Sequence, residues 1–177
     1  MTTRTSSGQL IIESIVAVTI LVVAIFGIFA LVSRSLSLFR VVSDRYTATY
    51  LAGEGIEIVK NIVDTNINTC RAWNTGLTDG AYLADYNDLV LTAKSSNNEP
   101  LLISDETGLY SYDAGTPTRF YRDITLESKG EEAQELIVRS NVSWTGRGNS
   151  QSETRLEDHF FNWRSAPADC TGEEVLE

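Results

Sequence analysis

The chain has 177 residues, with 14 Lys and Arg against 24 Asp and Glu, a formal net charge of −10 at pH 7. That length holds one domain of ordinary size plus an anchor, and the acidic balance favours solubility while arguing against bulk nucleic-acid binding. A single histidine, His159, argues against a histidine-based metal centre or a hydrolytic triad.

The first element is an apolar run. Residues 8 to 33 contain one ionisable side chain, Glu13, behind a short polar leader that ends in Gly8. From Ile15 to Val32 the run crosses most of a hydrocarbon core of roughly 30 Å, and from Leu10 it crosses all of it. A carboxylate at membrane depth costs several kcal/mol unless it is paired, so Glu13 reads as a functional residue whose partner lies elsewhere. An ordinary signal peptide explains the run less well, because its cleavage site follows the apolar stretch, whereas here the small residue precedes it.

Gly8, Gln9 and Glu13 together resemble the amino-terminal signature of type IV prepilins and pseudopilins. The resemblance implies a leader of residues 1–8 that a prepilin peptidase removes after Gly8, N-methylation of Gln9 by the same enzyme, and Glu13 as the fifth mature residue. It implies that Glu13 neutralises the amino-terminal ammonium of a neighbouring subunit, and that other pilin subunits pack through this helix. Attraction at low dielectric gives the physical sense, since each buried charge is tolerable only with the other. The chain departs from the commonest pattern at Gln9, where phenylalanine is usual, and at Ala30, where many major pilins carry proline. No proline precedes Pro100, so any loosening of the helix would fall at Gly27.

The segment 34–64 continues the helix. Leu36, Phe39, Val42, Tyr46, Tyr50, Ile56, Val59 and Val63 fall mostly three or four apart, with Gly53 in the gap, and predict an apolar stripe that covers the rest of the domain. Arg40 with Asp44 and Glu57 with Lys60 sit at helical pair spacings. Residues 53–62 also resemble the matching stretch of PilV-like minor pilins and type II secretion I-type minor pseudopilins. An unbroken helix from Gln9 to about Asp64 would be roughly 84 Å long.

Past Asp64 the composition turns to Thr, Asn, Gly and Asp, which predicts a connecting loop over 65–100 and a β-rich head over the whole of 65–177. Leu101 to Ile103 and Leu109 to Tyr112 flank a loop ending in Gly108, the pattern of a hairpin. Phe120, Ile124 and Leu126 alternate with polar residues, as do Leu136, Val138, Val142 and Trp144, so both segments read as half-buried strands. Ser128 to Glu132 and Thr145 to Ser150 supply turns, and Arg155 to Arg164 is the expected last strand, with Phe160 and Phe161 leaving its buried face open. The fold expected is α+β, a long helix whose second half packs on an antiparallel sheet, as in type IV pilins.

Cys70 and Cys170 are the two cysteines. An exported head permits a bridge between them, closing a loop of about 100 residues worth up to roughly 4 to 5 kcal/mol on the chain-entropy account, and the alternative is two free thiols. The positive-inside rule counts Arg4 against Arg34, Arg40 and Arg45 and taken alone would leave the head in the cytoplasm. Long domains translocate largely regardless of charge, and a leader of this kind is read on the cytoplasmic face, so the expectation is a single-pass inner-membrane protein with an extracytoplasmic head, later in a pilus or pseudopilus.

No catalytic motif is present, and no enzymatic role, cofactor or metal is expected. Asp85, Asn87 and Asp88 offer oxygens to calcium, but not at EF-hand spacing. Asn141-Val142-Ser143 matches a glycosylation acceptor inside a predicted strand. The reading is a structural minor pilin or minor pseudopilin, and its rival is a membrane-anchored extracellular adhesin or ligand-binding domain.

Overall fold

A computed structural model describes residues 7–95, 99–130, 134–164 and 170. Most of the expected leader, residues 1–6, lies outside them, as do part of the turn expected over 128–132 and the tail residues 166–169 and 171–177. Helix α1 spans Ser7–Asn68, and the chain divides into two compact units between Asp44 and Arg45, inside the segment 34–64 that the sequence treats as one piece.

In the first unit α1 buries no apolar side chain. Every residue from Gly8 to Ser43 is exposed, including Leu36, Phe39 and Val42 of the expected stripe. The hydroxyls of Ser14 and Thr19 donate to the carbonyls of Leu10 and Ile15 at 2.8 and 2.7 Å, so both polar groups are satisfied within the helix. This is one helix long and apolar enough to cross a membrane.

The second unit is an α+β head. Residues 45–68 of α1 lie against a five-stranded antiparallel sheet in the order β2-β1-β6-β7-β8, where β1 is Gly80–Leu83, β2 Thr92–Ala93, β6 Phe120–Lys129, β7 Glu135–Thr145 and β8 Gln151–Phe161. A small sheet, β4-β3-β5, is built from β3 Leu102–Ile103, β4 Tyr110–Ser111 and β5 Thr116–Pro117. The hairpin expected after Ile103 is there, with Gly108 at a φ of 71°.

The buried face of the helix follows the expected stripe in its later part, where Val59 and Val63 are buried and Ile56 is partly buried, but not at its start. Ala48, Leu51, Ala52, Gly55, Ile58, Val59, Ile62, Val63, Asn66 and Ile67 face the sheet, while Tyr46 and Tyr50 stand exposed with their hydroxyls 2.8 Å apart. Close approach explains the difference. A Cβ on Gly55 would stand 2.4 Å from Ser140 Oγ, so helix and sheet touch through small residues that a search for bulky apolar side chains passes over.

The helix also runs past Asp64, because Asn66 and Ile67 continue its buried face and tertiary packing overrides the weak propensity of Thr and Asn. It stops by geometry. Cys70 takes a φ of 58°, its amide donates to Ile67 O at 3.2 Å, and that of Arg71 donates to Asn66 O at 2.8 Å, the paired bonds of a Schellman end. Buried Asn66 then donates through Nδ2 to the carbonyls of Trp73 and Thr75, anchoring the chain that follows. The sulfurs of Cys70 and Cys170 lie at bonding distance, 2.00 Å, with their Cα atoms 5.3 Å apart.

Strands β6 and β7 pair from Phe120 with Trp144 to Lys129 with Glu135, as their alternation predicts. The loop expected over 65–100 instead contains β1 and β2, two short strands at one side of the sheet with no alternation long enough to betray them. β8 begins and ends earlier than Arg155 to Arg164. Gly148 and Asn149 at φ of 76° and 61° close the turn, and Gln151 enters the ladder at once opposite Thr145. Phe160 is the partly buried residue and Phe161 the exposed one.

Two glycines only two residues apart, on different sides of the helix, should therefore respond oppositely. Gly55→Val should lower head stability by about 1–3 kcal/mol through overpacking against Ser140. Gly53→Ala should raise it by about 0.5–1 kcal/mol, since its Cβ would meet only Leu156 Cδ1 at 3.9 Å. Denaturant titration of the two variants checks both signs, and a neutral Gly55→Val would contradict the close contact.

Candidate functional site

Gly8 and Gln9 lie in the first turn of α1, and Glu13 follows one turn later. Gln9, Ile12, Glu13, Val16, Ala17 and Ile20 line one face at spacings of three and four, so the first expected mature residue and the lone carboxylate share a stripe. All are exposed. Among the described residues no cation lies within ion-pair distance of Glu13. A Cβ built on Gly8 meets nothing within 4 Å, so the fold itself does not require glycine there.

The head has a charged centre that the sequence reading passed over. Arg122 is 2% exposed, and its guanidinium donates to Leu51 O of the helix at 3.2 Å and to Ala84 O after β1 at 2.6 Å. Its Nη1 also stands 3.2 Å from Glu54 Oε1. A buried guanidinium is tolerated when carbonyls and a carboxylate replace its water, and here they come from two elements besides its own strand. The signal was in the pattern: Arg122 sits in phase with Phe120, Ile124 and Leu126 on the inward side of β6. Tyr112 donates to Arg122 O at 2.9 Å, and burial pushes its phenol up to about 12.

Two of the three residues read as calcium donors, Asp85 and Asp88, are engaged otherwise. Asp85 Oδ1 accepts the Tyr112 amide at 2.7 Å and Asp88 Oδ2 accepts the Asp85 amide at 2.8 Å. Burial raises the Asp85 carboxyl above the usual range, against the opposing pull of that amide. Among the described residues no group of three His, Cys, Asp or Glu side chains is placed to hold a metal ion.

On the outer face of the sheet a chain of ion pairs crosses three strands. Arg139 bridges Glu127 at 2.6 Å and Glu157 at 2.5 Å, and His159 contacts Glu157 at 3.2 Å and Glu135 at 2.6 Å. Ile137, between these groups on β7, is only 1% exposed, so the charged side chains cover an apolar residue on the solvent side. Glu135 and then Glu157 raise the His159 pKa above 6.5, while Arg139 lowers Glu127, and Arg139 with His159 lowers Glu157.

No family model, no curated protein sequence and no solved structure matches this chain.

The ladder makes head stability depend on pH with a definite sign. A histidine with a raised folded pKa stabilises fully below its unfolded value near 6.5 and loses that contribution as pH rises through the folded value. The two lowered carboxyls act oppositely, contributing above their unfolded value of 4.5 and losing it as pH falls through their folded values. His159→Gln should therefore lower the melting temperature at about pH 5.5 and leave it unchanged near pH 9. A loss of equal size at both pH values would contradict an ionic role.

Proposed function

We propose that the chain is a structural subunit of a type IV pilin-like filament, a minor pilin or minor pseudopilin, and not an enzyme. One observation carries the reading: the stretch from Gly8 to Ser43 of a helix long and apolar enough to span a membrane holds a single carboxylate, Glu13, five residues after a glycine that the fold does not need. A fold-neutral glycine at that point fits recognition by a processing enzyme, which takes a residue without a side chain at the cut. The partners that follow are a prepilin peptidase and methyltransferase, the membrane, and other pilin subunits.

The physics of assembly follows from the apolar unit. Each fully buried Leu, Ile, Val or Phe side chain stabilises by about 1.5–3 kcal/mol, and the segment from Gly8 to Ser43 exposes them on all sides. Lipid covers them before assembly and neighbouring helices afterwards. Cleavage after Gly8 leaves an ammonium on Gln9, and a neighbour's Glu13 then supplies the counter-charge at low dielectric. A helical contact that does not close into a ring extends into a filament. In this reading the α+β head is a pilin head, translocated across the inner membrane, and the filament stands on the cell surface or in the periplasm.

Two substitutions test processing and assembly separately. Gly8→Val should leave a full-length species in the membrane with an unaltered head, because nothing opposes a side chain at that position in the fold. Glu13→Val should insert in the membrane and be processed, yet enter filaments poorly. Immunoblots of membrane and sheared-filament fractions read both; normal maturation of the first variant or full incorporation of the second would contradict the assignment.

A further inference from the structure

A shallow depression of about 220 Å³ opens in the head between the chain that follows β1, the β3–β4 hairpin loop and the turn after β4. Tyr86 and Leu109 give it apolar surface, and they are 48% and 44% exposed. Asn87, Ser104, Ser111, Asp85 and Asp113 supply polar groups around them. The Asn87 amide and the Asp113 carboxylate make no hydrogen bond or ion pair with another described residue, so both donors and acceptors there are uncommitted.

We propose that this depression binds a neutral pyranose. A sugar ring has one face of C–H bonds, which stacks on the electron-rich face of an aromatic ring, and a rim of hydroxyls that both donate and accept. Tyr86 answers the first requirement. Asn87 offers a donor and an acceptor, Asp113 two acceptors, and the Ser104 hydroxyl a donor, since its oxygen already accepts the Thr107 amide at 3.3 Å.

Charge narrows the ligand further. Two carboxylates and no Lys or Arg line the depression, so phosphates and acidic sugars are repelled. A bare divalent cation fits poorly, because calcium takes six to eight oxygens and one Asp85 oxygen already accepts the Tyr112 amide. The walls are held in place before any ligand arrives. The Asp85 carboxylate ties the segment after β1 to Tyr112, and the hairpin loop closes through Ser104 N to Leu109 O at 2.9 Å and Gly108 N to Ser104 O at 2.8 Å. Such preorganisation lowers the entropy cost of binding.

The site stands apart from processing and assembly, so its test is independent of the filament reading. The full chain in nanodiscs, which avoid sugar-headed detergents, would be probed by saturation-transfer NMR with the methyl pyranosides of glucose, galactose and mannose. At about 10 mM each would fill most of a site with a Kd near 1 mM. The expected result is transfer to the ring C–H protons of at least one glycoside, with binding about 5- to 10-fold weaker in Tyr86→Ala and in Asn87→Ala and an unchanged melting temperature. No transfer from any of the three, transfer undiminished in both variants, or a response to calcium chloride alone would overturn the proposal.

Discussion

Thirty-six consecutive residues of one helix, Gly8 to Ser43, bury nothing against their own chain, and they include one carboxylate. Among the described residues that apolar surface stands uncovered, and the proposed role assigns its cover to lipid and neighbouring helices. Lipid satisfies the side chains but not Glu13, which needs a counter-charge at the same depth. A filament of like helices satisfies both, and the proposed role follows from that single imbalance.

The second unit solves the opposite problem, how to join a helix to a sheet inside one small domain. Small residues bring them together at Gly55 and Ser140, and Arg122 ties the strand to the carbonyls of Leu51 and Ala84. Contacts of this kind fix orientation more than they add stability, because a buried guanidinium repays much of its gain in lost hydration. The Schellman end at Cys70 and the bridge to Cys170 then connect the helix terminus with the distant end of the chain.

The elements legible in the sequence are those with long, simple periodicity. The apolar run around Glu13, the strands β6 and β7, and the cysteine pair could be read because each signal is carried by many residues or by the only two of their kind. The helix face was misread at its start, though not at Val59 and Val63, because periodicity weighs Tyr46 and Tyr50 above Ala48 and Ala52, whereas a close contact selects the small side chains. Strands β1 and β2 hide because two to four residues cannot show a period, and the start of β8 was missed because Gln151 to Thr154 are polar on both faces, while its part from Arg155 to Phe161 was expected. Arg122 was missed as a core residue for a simpler reason, that charge is read as exposure unless its phase is checked against its neighbours.

The amino terminus of the protein purified from its own cell envelope tests the central claim most directly. Intact-mass and peptide spectrometry should show a chain that begins at Gln9 and carries one additional methyl group on its amine. A chain that retains Met1 through Gly8 in the mature, membrane-embedded protein would contradict the filament account and leave the helix as an anchor alone.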